Sequence, residues 1–437
     1  MNIKGCFNKI IVFAAAAAFS AVIFLPFRAE ASDVTEIYTY EDLLGIKDDP
    51  SGDYRLMCDI DLSGIDWKPL DFSGNFDGNG HAVLNCRVTQ VTEEKRESCD
   101  GNMILYDTAF AGFFGITENA EIRNLSLLGI DVDIAAEGEC FAGTIAGYTS
   151  GSIVENCTVK GRVSLSVTGK MFGVGGAIGY GNGEIRGCSI DTELVCIDED
   201  RESKDEQFMG GINGDGYLSI DSCDIRIAGY VSDHGYVHNG GISGMFILDS
   251  WDLVYEGFIT DNSVSGFIKF FEDNEDRRAY CEPYVGEILD TVSEMEGNSE
   301  EFERLEVFEY DENLLPHECS DPEYSKEITA PSESECGFTT YTCTECGYSY
   351  QSDYTSLNLY KEPETETEEI TEPAVTEESE TASEPLENEG TSVRKAVIVI
   401  ICAIILICAA IFCLILIAGR RSRVRKRRAK VRKANRR

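Results

Sequence analysis

A repeated phrase between Ala111 and Gly244 limits what this chain can fold into more than any other feature. AGFFGITENAEIRNLSL, starting at Ala111, sets a small apolar clasp with glycines before a short spacer and Ile-x-Asn-Leu-x-Leu. AGTIAGYTSGSIVENCTV follows at Ala142, GGAIGYGNGEIRGCSI at Gly175 and GGINGDGYLSIDSCDI at Gly210, and a degraded copy opens as GGISGMF at Gly240. The copies are roughly thirty to thirty-five residues apart, which is a solenoid period. Each holds two short alternating apolar segments parted by glycine turns, such as Ile153, Cys157 and Val159, and none holds an amphipathic stretch of helical length. Such a unit buries its apolar face only against its neighbours, so coils of parallel strands are expected, stacked about 4.8 Å apart.

The position after each turn then forms a ladder: Cys86, Leu125, Cys157, Cys188 and Cys223, ending at Ser263. One place earlier stand Asn85, Asn124, Asn156, Gly187, Ser222 and Asn262, residues suited to a bend, where stacked amides would hydrogen-bond to one another. The ladder thiols are open to two readings, bridging between layers or serving as small buried hydrophobes. The clasp and its INxC phrase resemble the GLUG-type repeats of bacterial cell-surface proteins, and DLSGIDWKPLDFSGNFDGNGHAV (Asp61 to Val83) resembles the lead-in that precedes such repeats. Over roughly Asp42 to Gly244 the resemblance implies a right-handed parallel β-helix on an exported, often adhesive protein. It brings no catalytic residues.

The chain opens with Lys4 and Lys9, an apolar run and Ala29-Glu30-Ala31, the pattern of a secretory signal cleaved after Ala31. Residues 32–84 read as a cap and first coil, with a short helix at Tyr40 to Leu44 and Trp67 as a plug, because a bare solenoid end would pair with other chains. Two charged excursions, Gln90 to Tyr106 and Ile197 to Gln207, read as solvated loops on one flank. The β-helix domain is expected over 32–286, followed by an acidic connector over 287–316 that is compatible with one helix.

Residues 317–357 read as a separate Cys-rich module. Cys343-Thr-Glu-Cys346-Gly347 is a CxxC knuckle, and four ligands drawn from His317, Cys336, Cys343 and Cys346, with Cys319 as an alternative, would complete a tetrahedral zinc site. The segment resembles a short module that occurs in tandem on clostridial-type surface proteins, but that family's upstream cysteine falls on Glu333 here. Disulfides from Cys343 or Cys346 to Cys319 or Cys336 are the other expectation in an oxidising exterior.

A Glu-, Thr- and Pro-rich stretch over 358–394 has the composition of a disordered, self-repelling stalk. The apolar run 395–418 is long enough to cross a bilayer, and the dense Arg and Lys of 419–437 place that end in the cytoplasm. The expectation is an all-β ectodomain on one C-terminal transmembrane helix. A net charge of -41 opposes nucleic-acid binding. With only four histidines, no HExxH and no acid pair that stands out from 78 acidic residues (Asp131 and Asp133, or Asp221 and Asp224, are examples), no catalytic residues are assigned and the protein is not expected to be an enzyme. The function expected is surface display for adhesion to a glycan, a host protein or a neighbouring cell. The alternatives are a polysaccharide lyase or glycosidase on the same scaffold and a purely structural envelope protein.

Overall fold

The computed structural model describes residues 34–97, 105–169, 171–199, 206–232, 236–246, 257–271, 279–288, 295–307, 319 and 322–359, all within one compact unit. The expected signal segment, the stalk beyond Leu359, the membrane span and the basic tail lie outside the described residues. Among those described, no helix is long and apolar enough to cross a membrane.

Strand dominates the regular structure of the described residues, most of it in three large sheets of 12 (sheet I), nine (sheet II) and seven strands (sheet III). The chain visits them in rotation. Glu139–Gly143 in sheet III, Ala146–Glu155 in sheet I and Thr158–Thr168 in sheet II make one winding, and Met171–Gly175, Ile178–Arg186 and Ser189–Asp198 make the next, each strand parallel to its predecessor. This is an all-β stack of parallel strands, compatible with a β-helix. Alternation explains the core: Val163, Leu165 and Val167 are fully buried while Ser164 and Ser166 between them are not, and Val132, Val163 and Leu194 line up across three windings.

The clasp has a steric cause. Where sheet III hands over to sheet I the two backbones nearly touch, so a Cβ on Gly179 would lie 2.6 Å from Ala142 N and 2.7 Å from Gly147 O. Only a residue without a side chain fits there.

The ladder keeps the expected phase from Asn124-Leu125 to Ser222-Cys223 and departs from it at both ends. Left-handed backbone recurs at Asn124, Asn156, Gly187, Ser222, Asp261 and Gly297, so Asn262 is not a bend residue. It occupies the thiol slot beside Cys223, accepting from Cys223 N at 2.9 Å, and Asn298 continues the row, its Oδ1 3.0 Å from Asn262 Nδ2. An amide serves there because its oxygen satisfies the N–H of the winding below. Ser263 instead pairs with Asp224 in sheet II. At the other end, Leu84 pairs with Leu128 and Arg87 with Asp131, which sets Asn85 and Cys86 level with Gly129 and Ile130, at a second bend. The bend amides do not bond to one another: Asn124 donates to Asp77 Oδ1 at 3.0 Å, and Asn85 has other partners. Cys157, Cys188 and Cys223 are free buried thiols, as are Cys86, Cys140 and Cys196.

The short amino-terminal helix lies where the sequence placed it. Helix α1, Tyr40–Leu44, starts in a capping box between Thr39 and Asp42. Trp67 is buried, stacks on Phe113 at 5.0 Å and donates from its indole to Phe113 O at 2.8 Å. The first charged excursion is not a plain loop: Thr92–Glu97 pairs antiparallel with Leu105–Ala111 and covers the first edge of sheet III. The stack also runs past 286. Ser299–Val307 pairs with Ser263–Phe271 as a further strand of sheet II, where a helix had been compatible with the sequence. Among its described side chains, half-buried Phe302 packs on the core, and Arg304 lies 4.9 Å over the Phe270 ring.

The Cys-rich module is not detached. Its antiparallel strands Tyr324–Thr329, Gly337–Cys343 and Ser349–Thr355 form a small sheet packed on sheet II. Tyr354 is buried with Ala82 and Leu84, and Phe338 and Leu128 pack around them. Asn85 holds the Tyr354 backbone from both sides, its Nδ2 donating to Tyr354 O and its Oδ1 accepting from Tyr354 N, each at 2.8 Å. A Cβ on Gly129 would meet the Tyr354 ring at 2.7 Å.

Asn262→Ala removes an acceptor from a buried N–H and should destabilise the unit by about 1–3 kcal/mol. Chemical denaturation of the variant measures it; an unchanged midpoint would contradict this role for the amide.

Candidate metal centre

The strand Gly337–Cys343 leads into a tight knuckle. Cys343 N donates to Tyr348 O at 2.8 Å and Gly347 N to Cys343 O at 3.0 Å, with Gly347 left-handed at φ 81°. The turn points backbone donors at both sulfurs: Glu345 N lies 3.4 Å from Cys343 Sγ and Tyr348 N 3.4 Å from Cys346 Sγ. Cys319 supplies a third sulfur, 3.8 Å from Cys343 Sγ, and all three lie within 4.8 Å of one another. Thiolates placed tetrahedrally about zinc at ~2.3 Å are about 3.8 Å apart, whereas a disulfide needs ~2.05 Å. The donor set fits a soft, thiolate-bound metal ion.

Electrostatics differ along the cluster. Desolvation pushes the Cys319 thiol up to about 12, with hydrogen bonds to Cys346 and Cys343 adding to it. Desolvation also raises Cys343, but donation from the backbone of Cys346 and Glu345 outweighs it and holds this thiol below its usual value. A cation would favour the thiolate at all three positions.

The expected ligands divide. Cys343 and Cys346 come together, and Cys319, the alternative, joins them. Cys336 does not: it packs with Phe338 and Tyr354 against the column, and burial followed by the charge of Asp59 pushes its thiol up. The reason is positional, since Cys336 stands just before the strand Gly337–Cys343, whose far end carries the knuckle. His317 lies outside the described residues.

Among the described residues, no other three His, Cys, Asp or Glu side chains converge in this way. His238 is a rung in a row of rings on sheet III, stacked on Phe208 at 5.2 Å and Tyr280 at 5.5 Å, with Glu287 Oε2 2.9 Å from its Nδ1, and burial lowers it to about 4. Asp221 accepts from Thr260 at 2.6 Å and from Ser222 at 3.1 Å. Asp131 stands in register with Arg87 and Arg162, and Glu193 follows Arg162 on the next winding, forming an alternating charge ladder. Arg162 Nε is 3.1 Å from Glu193 Oε1, and Tyr348 of the module donates to Glu193 Oε2 at 2.7 Å. Desolvation under the module raises both carboxyls above their usual range, with Arg162 opposing it at each. Through the Tyr348–Glu193 bond this ladder meets the module, a contact that the sequence positions did not signal.

Comparison with protein-family models, with curated proteins and with solved structures finds no match.

The purified full chain should carry about one equivalent of zinc, lost in Cys346→Ser and kept in Cys336→Ser. Metal analysis that finds none, with loss of titratable thiols at Cys319, Cys343 or Cys346, would replace the ion with a disulfide. The docking contact also makes a pH prediction. An acid raised in the folded state binds its proton more tightly there, so Glu193 should add stability as pH falls through its folded value toward the ordinary ~4.5. In Glu193→Gln, which still accepts from Tyr348, that part of the acid-side gain in melting temperature should vanish; an identical pH profile would contradict it.

Proposed function

We propose that this protein is a membrane-anchored surface protein whose right-handed parallel β-helix is a non-catalytic display column for adhesion. The observation that supports this reading is the parallel stacking of strands, from Thr35–Ile37 to Val285–Ile288 in sheet I and from Ile60–Asp61 to Ser299–Val307 in sheet II, which gives a stiff scaffold with long repeating faces. The secretory pattern before Ala31, the acidic stalk and the apolar run followed by a basic tail support an exported, tethered location. The Cys-rich module, held by a zinc ion and by Asn85, braces one flank of sheet II. Its docking also favours a rigid presentation over beads on a string.

The full chain, purified in detergent micelles and applied to glycan and matrix-protein arrays, should bind at least one ligand and leave polysaccharides chemically unchanged. New reducing or unsaturated ends from a polysaccharide panel would replace adhesion with a lyase or glycosidase activity. Protease added to intact cells should remove the column; complete protection would contradict surface display.

A further inference from the structure

The Cys-rich module has almost no core of its own. Among its described residues, Cys343 and Tyr354 are the only buried apolar side chains. A sheet that small needs support beyond its own apolar contacts. Cys343 belongs to the sulfur cluster, and Tyr354 is seated on the column against Ala82 and Leu84. The module therefore rests on two anchors, a metal centre at one end and a docking contact at the other.

One short segment joins these anchors. The knuckle is the turn between Gly337–Cys343 and Ser349–Thr355, and Tyr348 closes it. The Tyr348 N–H lies 3.4 Å from Cys346 Sγ, and its carbonyl accepts from Cys343 N at 2.8 Å. The hydroxyl of the same residue donates to Glu193 Oε2 at 2.7 Å, so the residue that shapes the sulfur cluster also touches the column. Further along the segment, Asn85 holds the Tyr354 backbone at both N and O. Between the Asn85 and Glu193 windings, sheet II runs through Ser126–Glu137 and Thr158–Thr168, so the two contacts span about 14 Å of the column.

This connection makes the anchors interdependent. An ion on Cys319, Cys343 and Cys346 cross-links the turn, and the turn presents the Tyr348 hydroxyl to Glu193 and the strand Ser349–Thr355 to Asn85. Loss of the ion removes one of the module's two supports. Linkage runs both ways: whatever factor metal adds to docking, docking adds to metal affinity.

We propose that Tyr348 couples the metal centre to the column, so that zinc occupancy decides whether the module stays clamped on sheet II. Zinc thereby becomes the condition for a rigid presentation of the column. The coupling rests on the metal centre and not on adhesion, and it requires no external ligand.

The test uses the full chain in detergent micelles under reductant. Zinc affinity, read by competition with a chelator, should fall about tenfold in Glu193→Ala and in Asn85→Gly, two column substitutions that remove no sulfur. Glycine keeps the left-handed backbone that Asn85 adopts at φ 53°. Arg186→Ala, which breaks a pair with Glu155 in sheet I, should leave zinc binding unchanged. Amide exchange at Tyr354 should speed up about tenfold or more when the chelator strips the metal, while Thr158–Thr168 stays protected and reports an intact column. Should Asn85→Gly lose that protection, Glu193→Ala alone decides. Unchanged zinc affinity in Glu193→Ala with the column folded, or equal Tyr354 exchange with and without zinc, overturns the coupling. A full chain that binds no zinc overturns it together with the metal centre and leaves the adhesion reading standing.

Discussion

Each winding of this molecule presents a full row of backbone donors and acceptors to the next, and the stack exists only while successive windings match in register. Parallel pairing lets Thr158–Thr168 bond to Ser126–Glu137 on one side and Ser189–Asp198 on the other. A slip of one residue would turn Val163 and Leu165 outward. Register is therefore held at the corners, by the glycine clasp at one and the left-handed bend at another. The bend position accepts Asn, Gly, Ser or Asp because these residues tolerate positive φ.

That constraint separates what could be read from the sequence and what could not. The period and the strand type were legible because glycine spacing and apolar alternation are local signals. The phase at the two ends of the ladder was not. Asn85-Cys86 reproduces the phrase of Asn156-Cys157, yet pairing of Arg87 with Asp131 moves it to a different bend. Asn262-Ser263 misleads in the opposite sense, since Asp261 takes the bend and pushes the amide into the thiol slot. Ser299–Val307 is rich in Glu, with half-buried Phe302 packed on the core, too weak a signal to extend the pattern.

The metal centre divides in the same way. A CxxC knuckle is visible because its sulfurs and the Gly347 turn are adjacent in sequence. The third sulfur depends on tertiary placement, which selects Cys319 while Cys336 packs against the column. The docking of the module was hidden entirely: Asn85 and Tyr354 are 269 residues apart, and neither has a composition that announces the contact. What resembles a misplaced ladder residue is the clamp that joins the two parts of the unit.

Amide hydrogen exchange on the full chain, resolved strand by strand, tests the stacking account most directly. Windings with partners on both sides open only with the whole column, whereas an end strand can fray. Protection should be greatest across 158–168 and 189–198, should fall toward 299–307, and should include the Tyr354 amide held by Asn85. Exchange in 158–168 and 189–198 as fast as in the turns would contradict the stack.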